Sequence, residues 1–246
     1  MHNAFSQTHQ RPFPLPKRRW MMTQSWHHLL FCHWQADEKI LRKLLPPELE
    51  VDTYEGKAWI GVLPFRVKNM RVRGMPNPPF INTFLQLNIR TYVTYNGVPG
   101  IFFFTLDSDK WLTVIGGKIG ALVPYRKAAM RMYKRDDKIH FHSEPDGADS
   151  IGRKLDLEYH PVSEPYSPDP ESLEYWLFER YCYFTVLNKK VYRGDTHHTH
   201  WKVSKAEANI HQYPLYKNLI NLDFTEKPLL HYTRKKQAFM WTPVRA

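Results

Sequence analysis

The chain has 246 residues, 42% of them hydrophobic and 15% aromatic, so it is long enough to bury roughly 70–75% of its unfolded surface in a core. No apolar run approaches the ~18 residues of a membrane span, and the first residues lack a secretory apolar region and cleavage site, while their prolines oppose a transit helix. These features exclude a spanning helix and set the expectation of a cytoplasmic protein without membrane contact. Two cysteines, Cys32 and Cys182, are too few for a disulfide framework and have no CxxC spacing, so reduced, buried thiols are expected. The net charge of +11 gathers at Lys17-Arg18-Arg19, Arg131 to Arg135 and Arg234-Lys235-Lys236. Such runs raise nucleic acid as a partner. No helix-turn-helix, RRM, KH or zinc-finger spacing accompanies them, so a solvated basic surface is the simpler reading.

Along the chain, residues 1–10 read as a disordered tail and 11–246 as one domain. Arg11 to Pro16 forms a proline-rich arm ending in Trp20, Met21 and Met22. Ala36 to Leu45 places Ile40, Leu41, Leu44 and Leu45 on one helical stripe, with Asp37 near its start and Pro46-Pro47 as its stop. Ala58 to Lys68 reads as a buried strand. In LQLNIRTYVT, Leu85, Leu87, Ile89, Thr91 and Val93 alternate with Gln86, Asn88, Arg90, Tyr92 and Thr94, the period of a strand with one apolar and one polar face. Tyr95 to Gly100 turns the chain, and GIFFFTL returns antiparallel to it. A turn over Asp107 to Lys110 precedes GGKIGALVPYRKAAM (residues 116–130), whose end predicts a helix. Lys138 to Ser143 and Lys154 to His160 read as strands around a turn at Pro145-Asp146-Gly147. A helix capped by Asp169 with Pro170 at its first position carries Leu173, Trp176 and Leu177. Tyr181 to Leu187 and Val191 to Thr199 predict a hairpin, and Ser204 with Glu207 matches a capping box for a last short helix. Many hairpin-linked strands with few helices give α+β, built on a large, curled, mostly antiparallel sheet.

Candidate chemistry is sparse. Gly116, Gly117 and Lys118 fail as a phosphate loop because Ile119 stands where Ser or Thr is required, and Gly120 breaks the dinucleotide spacing. His140 and His142 share a strand face, and His197, His198 and His200 add imidazoles, but no carboxylate at a third-ligand spacing supports a metal. No GxSxG elbow is present. The row Gln86, Asn88, Arg90 is the most suggestive: on a concave sheet its arginine would meet an anionic ligand, whereas on an ordinary antiparallel sheet the same face would be solvated. Glu179-Arg180-Tyr181 reads as a structural ion pair with a phenol, and His198-x-x-Trp201 as a pocket wall or a packing motif.

RPFPLPKRRWMMTQSWHHLLFCHW, LNIRTYVTY, GIFFFTLDSD, GGKIGALVPYRKAAM and ERYCYFTVLNKKVYRGDTHHTHW, in this order, resemble the YqjF-like bacterial family, which is grouped with the acetoacetate decarboxylase-like superfamily. The resemblance implies a curled sheet around a central pocket. In acetoacetate decarboxylase the first lysine of a Gly-x-Pro-Lys-Lys segment forms a Schiff base with a β-keto acid. The corresponding segment here is Leu122-Val123-Pro124-Tyr125-Arg126, so Tyr125 and Arg126 replace that pair. Lys118 stands where relatives carry arginine, and Gln86 where they often carry glutamate. The leading reading is therefore a pocket for a small organic acid or carbonyl compound. Arg90 and Lys118 would hold its anionic group, Tyr125 would donate a hydrogen bond or act as a weak acid, and Gln86, Asn88, Arg126 and His198 would complete the site. No metal or cofactor is called for, and a homo-oligomer is compatible. A non-enzymatic ligand-binding or interaction protein is the alternative, with a nucleic-acid binder third.

Overall fold

Alternating side chains on long strands build one 13-stranded sheet in the computed structural model, which describes residues 3–76, 82–147, 154–213, 224 and 226–246. The strands are β1 (Met22–Ala36), β2 (Glu50–Val51), β3 (Ala58–Val72), β4 (Phe84–Tyr95), β5 (Val98–Ser108), β6 (Tyr125–Arg135) and β7 (Lys138–Pro145). They are followed by β8 (Leu155–Pro161), β9 (Cys182–Leu187), β10 (Lys190–His198), β11 (Ser204–Gln212), β12 (Leu229–Met240) and β13 (Val244–Arg245). Three short helices, α1 (Glu38–Leu44), α2 (Trp111–Gly116) and α3 (Leu173–Phe178), lie between strands. Asp37 caps α1, its carboxylate accepting from the Lys39 and Ile40 amides. None of the described helices is long and apolar enough to cross a membrane.

The pairings close twice. One circuit runs β1, β3, β4, β5, β9, β10, β12 and back to β1, closed by the parallel β5–β9 contact and the short β10–β12 pairing. The other leaves β5 through β6, β7, β8 and β11 and returns through β12. The strands β12, β1, β3, β4 and β5 belong to both circuits. Because successive side chains on a strand point to opposite faces, each shared strand supplies two interiors. Leu85, Leu87 and Ile89 of β4 join Leu30, Cys32, Phe141 and Leu157 in the core of the second circuit. Their neighbours Gln86, Asn88 and Arg90 face into the first. That polar face is not solvated: Gln86 and Asn88 are each only 5% exposed.

Four local expectations are corrected. The segment after Pro124 is a strand, β6, because Tyr125, Arg126 and Lys127 pair in parallel with Leu106, Asp107 and Ser108. The bend itself is helical, α2 followed by a π turn over Gly117–Ala121 that ends at Leu122 in the left-handed region, φ 55°. The Ser204–Glu207 pattern lies on β11, where pairing with β8 and β12 overrides local capping propensity. Helix α3 starts later than expected: Ser172 caps it by accepting from the Tyr175 amide, while Asp169 closes the preceding turn. Residues 3–10, expected to be a loose tail, pack on the body. Ala4 is buried against Phe239 and Trp241, and Gln10 donates to the His198 carbonyl; residues 1 and 2 of that expectation lie outside the described residues.

Candidate ligand-binding site

All seven strands of the first circuit contribute side chains to a cavity of 430 Å³ inside it, with α2 and the π turn across one side. This size falls in the ordinary range of small-molecule pockets. Gln86, Asn88 and Arg90 from β4, Tyr125 from β6 and His198 from β10 all line it. Arg90 and Tyr125 thus face one space, as the sequence reading required. Tyr125 reaches it because β6 begins beside β5, and its hydroxyl donates to Gln86 Oε1 at 2.9 Å. Burial pushes the phenol well above its usual range, so it is a neutral donor. Gly117 makes this placement possible: a Cβ there would stand 2.1 Å from the Tyr125 ring.

Lys118 and Arg126 are not in the cavity. The π turn directs Gly117, Gly120 and Ala121 inward, while Lys118 is exposed and joins Arg126, Lys127, Trp111 and Asp146 in a separate outer cleft. Arg126 is committed to the fully buried Asp107, its Nε donating at 3.1 Å. The anion-holding role expected of Lys118 therefore has no geometric support in the central cavity, and Arg126 is a structural cation outside it.

Arg90 has a different environment. It is half-buried, its Nε has no hydrogen-bond partner, and no carboxylate among the described residues lies within ion-pair distance. Its guanidinium lies 5.7 Å from the Tyr92 ring centroid. On the same ring, at 5.0 Å, sits Arg180, which also lines the cavity but is neutralised by Asp52 at 2.5 Å. Sequence reasoning treated Arg180 as the partner of Glu179. Instead Glu179 accepts from His200 Nδ1 at 2.6 Å, the Trp201 amide at 3.0 Å and the Tyr181 hydroxyl. Nothing in the sequence distinguishes those two partnerships, because Asp52 is remote in the chain.

His198 and Trp201 both line the cavity, and both are also packed, Trp201 within an apolar cluster and His198 against the Tyr181 ring. Each His198 ring nitrogen faces a carbonyl, Thr199 at 3.0 Å and Arg180 at 3.3 Å, yet burial first and then Lys236 hold the imidazole well below its usual pKa. Cys182, also in the wall, has its thiol pushed up to about 12 by burial. The remaining wall is largely apolar, including Trp26, Phe31, Phe65, Phe84 and Phe103. No lysine, aspartate or glutamate appears among the lining residues, and no cluster of metal-ligating side chains occurs among the described residues. His140 and His142 lie on the other part of the sheet, the first near Glu158 and the second paired with Asp156.

Doubly closed sheet and interior cavity together define an acetoacetate decarboxylase-like fold. The acetoacetate decarboxylase of Legionella pneumophila superposes with a TM-score of 0.65 at 13% identity, covering 96% of this chain and 92% of that one. An acetoacetate decarboxylase-like enzyme of Sphingomonas wittichii gives 0.62 at 14% identity, with 96% and 98% covered. The enduracididine biosynthesis enzyme MppR complexed with pyruvate gives 0.64 at 11% identity, with 95% and 92% covered. Closer in sequence is the uncharacterized protein YqjF of Bacillus subtilis, 41% identical over 243 residues, 96% of each chain. Residues 23–237 match the model of DUF2071, an uncharacterized conserved protein family. The chain belongs to that family.

Proposed function

We propose that the central cavity binds a small organic acid or carbonyl compound, with its anionic group on Arg90 and without covalent attachment to a lysine. The observation that carries this reading is the Arg90 guanidinium itself. A cation half-buried beside aromatic walls with no carboxylate partner is costly unless a ligand supplies the countercharge. Asn88 and Gln86, the latter fixed by Tyr125, stand on the same strand face, about 7 Å and about 13 Å from Arg90 at the usual rise per residue. They offer amide contacts to the body of the ligand.

Binding is favoured over catalysis by the state of the wall. Tyr125, Tyr183, His198 and Cys182 are each shifted toward their neutral forms by burial. General acid–base work calls for a group titrating near the working pH. The imine route has no amine facing the cavity. Nucleic-acid binding is disfavoured because the basic runs are partly compensated or buried: Arg18 pairs with Asp195, Lys134 with Asp137 and Arg135 with Asp136, and Lys236 is buried. The cytoplasmic placement expected from the sequence accompanies this reading.

The test is native mass spectrometry of the purified protein, together with calorimetric titration against a panel of carboxylates. A retained or titrated acid, lost by at least about tenfold in Arg90→Gln, is the expected result; charge-assisted hydrogen bonds are worth roughly 1.5–3 kcal/mol. Borohydride with keto acids should leave Lys118 and Lys127 unmodified. Acid binding that is indifferent to Arg90, or a trapped lysine adduct, would overturn the assignment.

A further inference from the structure

Resting on the acid-binding reading, we infer that the ligand is a monoanion with a large apolar body, an aryl- or alkyl-bearing carboxylate that fills most of the cavity. Short polar keto acids, dicarboxylates and phosphate esters do not fit it. Charge balance supplies the first half of the argument. Two guanidiniums, Arg90 and Arg180, reach the cavity around the ring of Tyr92. Asp52, behind the wall, compensates Arg180, and no carboxylate side chain lines the space itself. One positive charge is left, so one negative charge completes the site. A second carboxylate or a phosphate dianion would bring an uncompensated charge against aromatic walls, which burial opposes strongly.

The polar groups of the wall supply the second half. Most are satisfied by the protein itself. Trp26 Nε1 donates to Gln24 Oε1 at 2.9 Å, Tyr125 to Gln86, and the Tyr183 hydroxyl to the Ala121 carbonyl at 2.7 Å. Arg180 Nε donates to the Trp176 carbonyl, and the single N–H of neutral His198 goes to one of the two carbonyls that its ring nitrogens face. Besides Arg90 Nε, the buried lining atoms left without a partner are Asn88 Oδ1, Thr113 Oγ1, Arg180 Nη2 and Trp201 Nε1, a short set beside the apolar surface that Trp26, Phe31, Phe65, Phe84 and Phe103 offer. The 430 Å³ equals roughly 14 waters at about 30 Å³ each. That volume corresponds to a body of on the order of ten non-hydrogen atoms beyond the carboxylate, far more than pyruvate fills.

The experiment is calorimetric titration of the full chain with pyruvate, hexanoate, octanoate, phenylpropanoate, octanedioate and octanol. Octanoate and phenylpropanoate should bind tightest, and affinity should rise about fourfold for each methylene between hexanoate and octanoate. Octanedioate should bind at least about tenfold more weakly than octanoate, because its second carboxylate enters an apolar wall. In Arg90→Gln, confirmed folded by its melting curve, octanoate should weaken at least about tenfold while octanol keeps its affinity within about twofold. Pyruvate or octanedioate matching octanoate would overturn the apolar-monoanion inference and leave acid binding at Arg90 intact. If none of the carboxylates bound, acid binding itself would fall, and this inference with it.

Discussion

The Tyr125 hydroxyl donates to Gln86 Oε1 across 2.9 Å, joining the first residue of β6 to the third of β4 inside the cavity. The contact ties the bend over the cavity to the strand that carries Arg90. Tyr125→Phe leaves a buried amide oxygen without its donor, and a loss of about 1–3 kcal/mol in urea unfolding is expected. Gly117→Ala acts on the same ring from the other side. With a Cβ 2.1 Å from it, the ring or the π turn must move, so this substitution should perturb near-ultraviolet dichroism and ligand affinity more than Gly120→Ala. No neighbour lies within 4 Å of a Cβ at Gly120. Equal effects of the two alanines would refute the steric argument.

Glu179 is the second structural hub, a nearly inaccessible carboxylate accepting from Tyr181, His200 and the Trp201 amide. Glu179→Ala should cost roughly 3–5 kcal/mol, the usual loss when one partner of a buried charged cluster is deleted. Glu179→Gln, which keeps the shape and one acceptor, should lose less. Equilibrium denaturation of the two variants checks the ordering.

Acid should destabilise the protein before its carboxylates titrate. His33 and His198 are fully enclosed, and burial holds both well below the ordinary histidine pKa. In the unfolded chain each takes up a proton near pH 6.5, whereas in the fold it does not. The unfolded state therefore binds more protons as pH falls, and stability is lost below about pH 6.5. Each such histidine should cost about 1.4 kcal/mol between about pH 7.5 and about pH 5.5. His33→Gln, which can still accept from Tyr92, should flatten that slope in a series of urea midpoints.

On the alkaline side Lys236 works in the other window. Burial lowers its amine to about 8, although it donates to the His200 carbonyl at 2.8 Å. The penalty for a buried charge is fully present below about pH 8 and is relieved as the folded-state amine deprotonates while the unfolded one, near 10.4, does not. Stability should rise with pH between about 8 and about 10. Lys236→Met should remove that rise, and an unchanged slope in this variant would reject the assignment.

The N-terminal arm should be a stabilising strap. Arg11 Nη1 donates to the Thr196 carbonyl at 2.8 Å, and its guanidinium stacks over Tyr181 at 4.6 Å and Phe13 at 5.0 Å. Deleting residues 1–11 should lower the melting temperature by several degrees, since about 1 kcal/mol shifts a domain of this size by roughly 2–4 °C. A melting temperature unaffected by the deletion would show that the arm contributes nothing to stability.

The sequence reveals the long strands through their alternation, and the row Gln86, Asn88, Arg90 through its period of two. It could not show that both faces of β4 are interior, because polarity alone does not separate a solvated face from a wet cavity wall. The helix expected after Pro124 follows local propensity, whereas the parallel pairing of Tyr125 to Lys127 with β5 is a long-range contact that no window of sequence contains. Similar reasons hid Asp52 as the partner of Arg180 and sent Lys118 to the outer cleft. A π turn rotates its neighbours by an amount that an α-helical period does not foresee. The family resemblance located the bend, and only the backbone path decided which of its side chains face inward.

The five strands held in common by the two circuits act as a party wall between two rooms. Neither room can be emptied without exposing the back of the other, so the ligand cavity cannot melt as an independent unit while the apolar room beyond β4 stands. Calorimetry should therefore record one transition, and a ligand bound beside Arg90 should raise the temperature at which Phe141 and Leu157, on the far side of that wall, lose their packing.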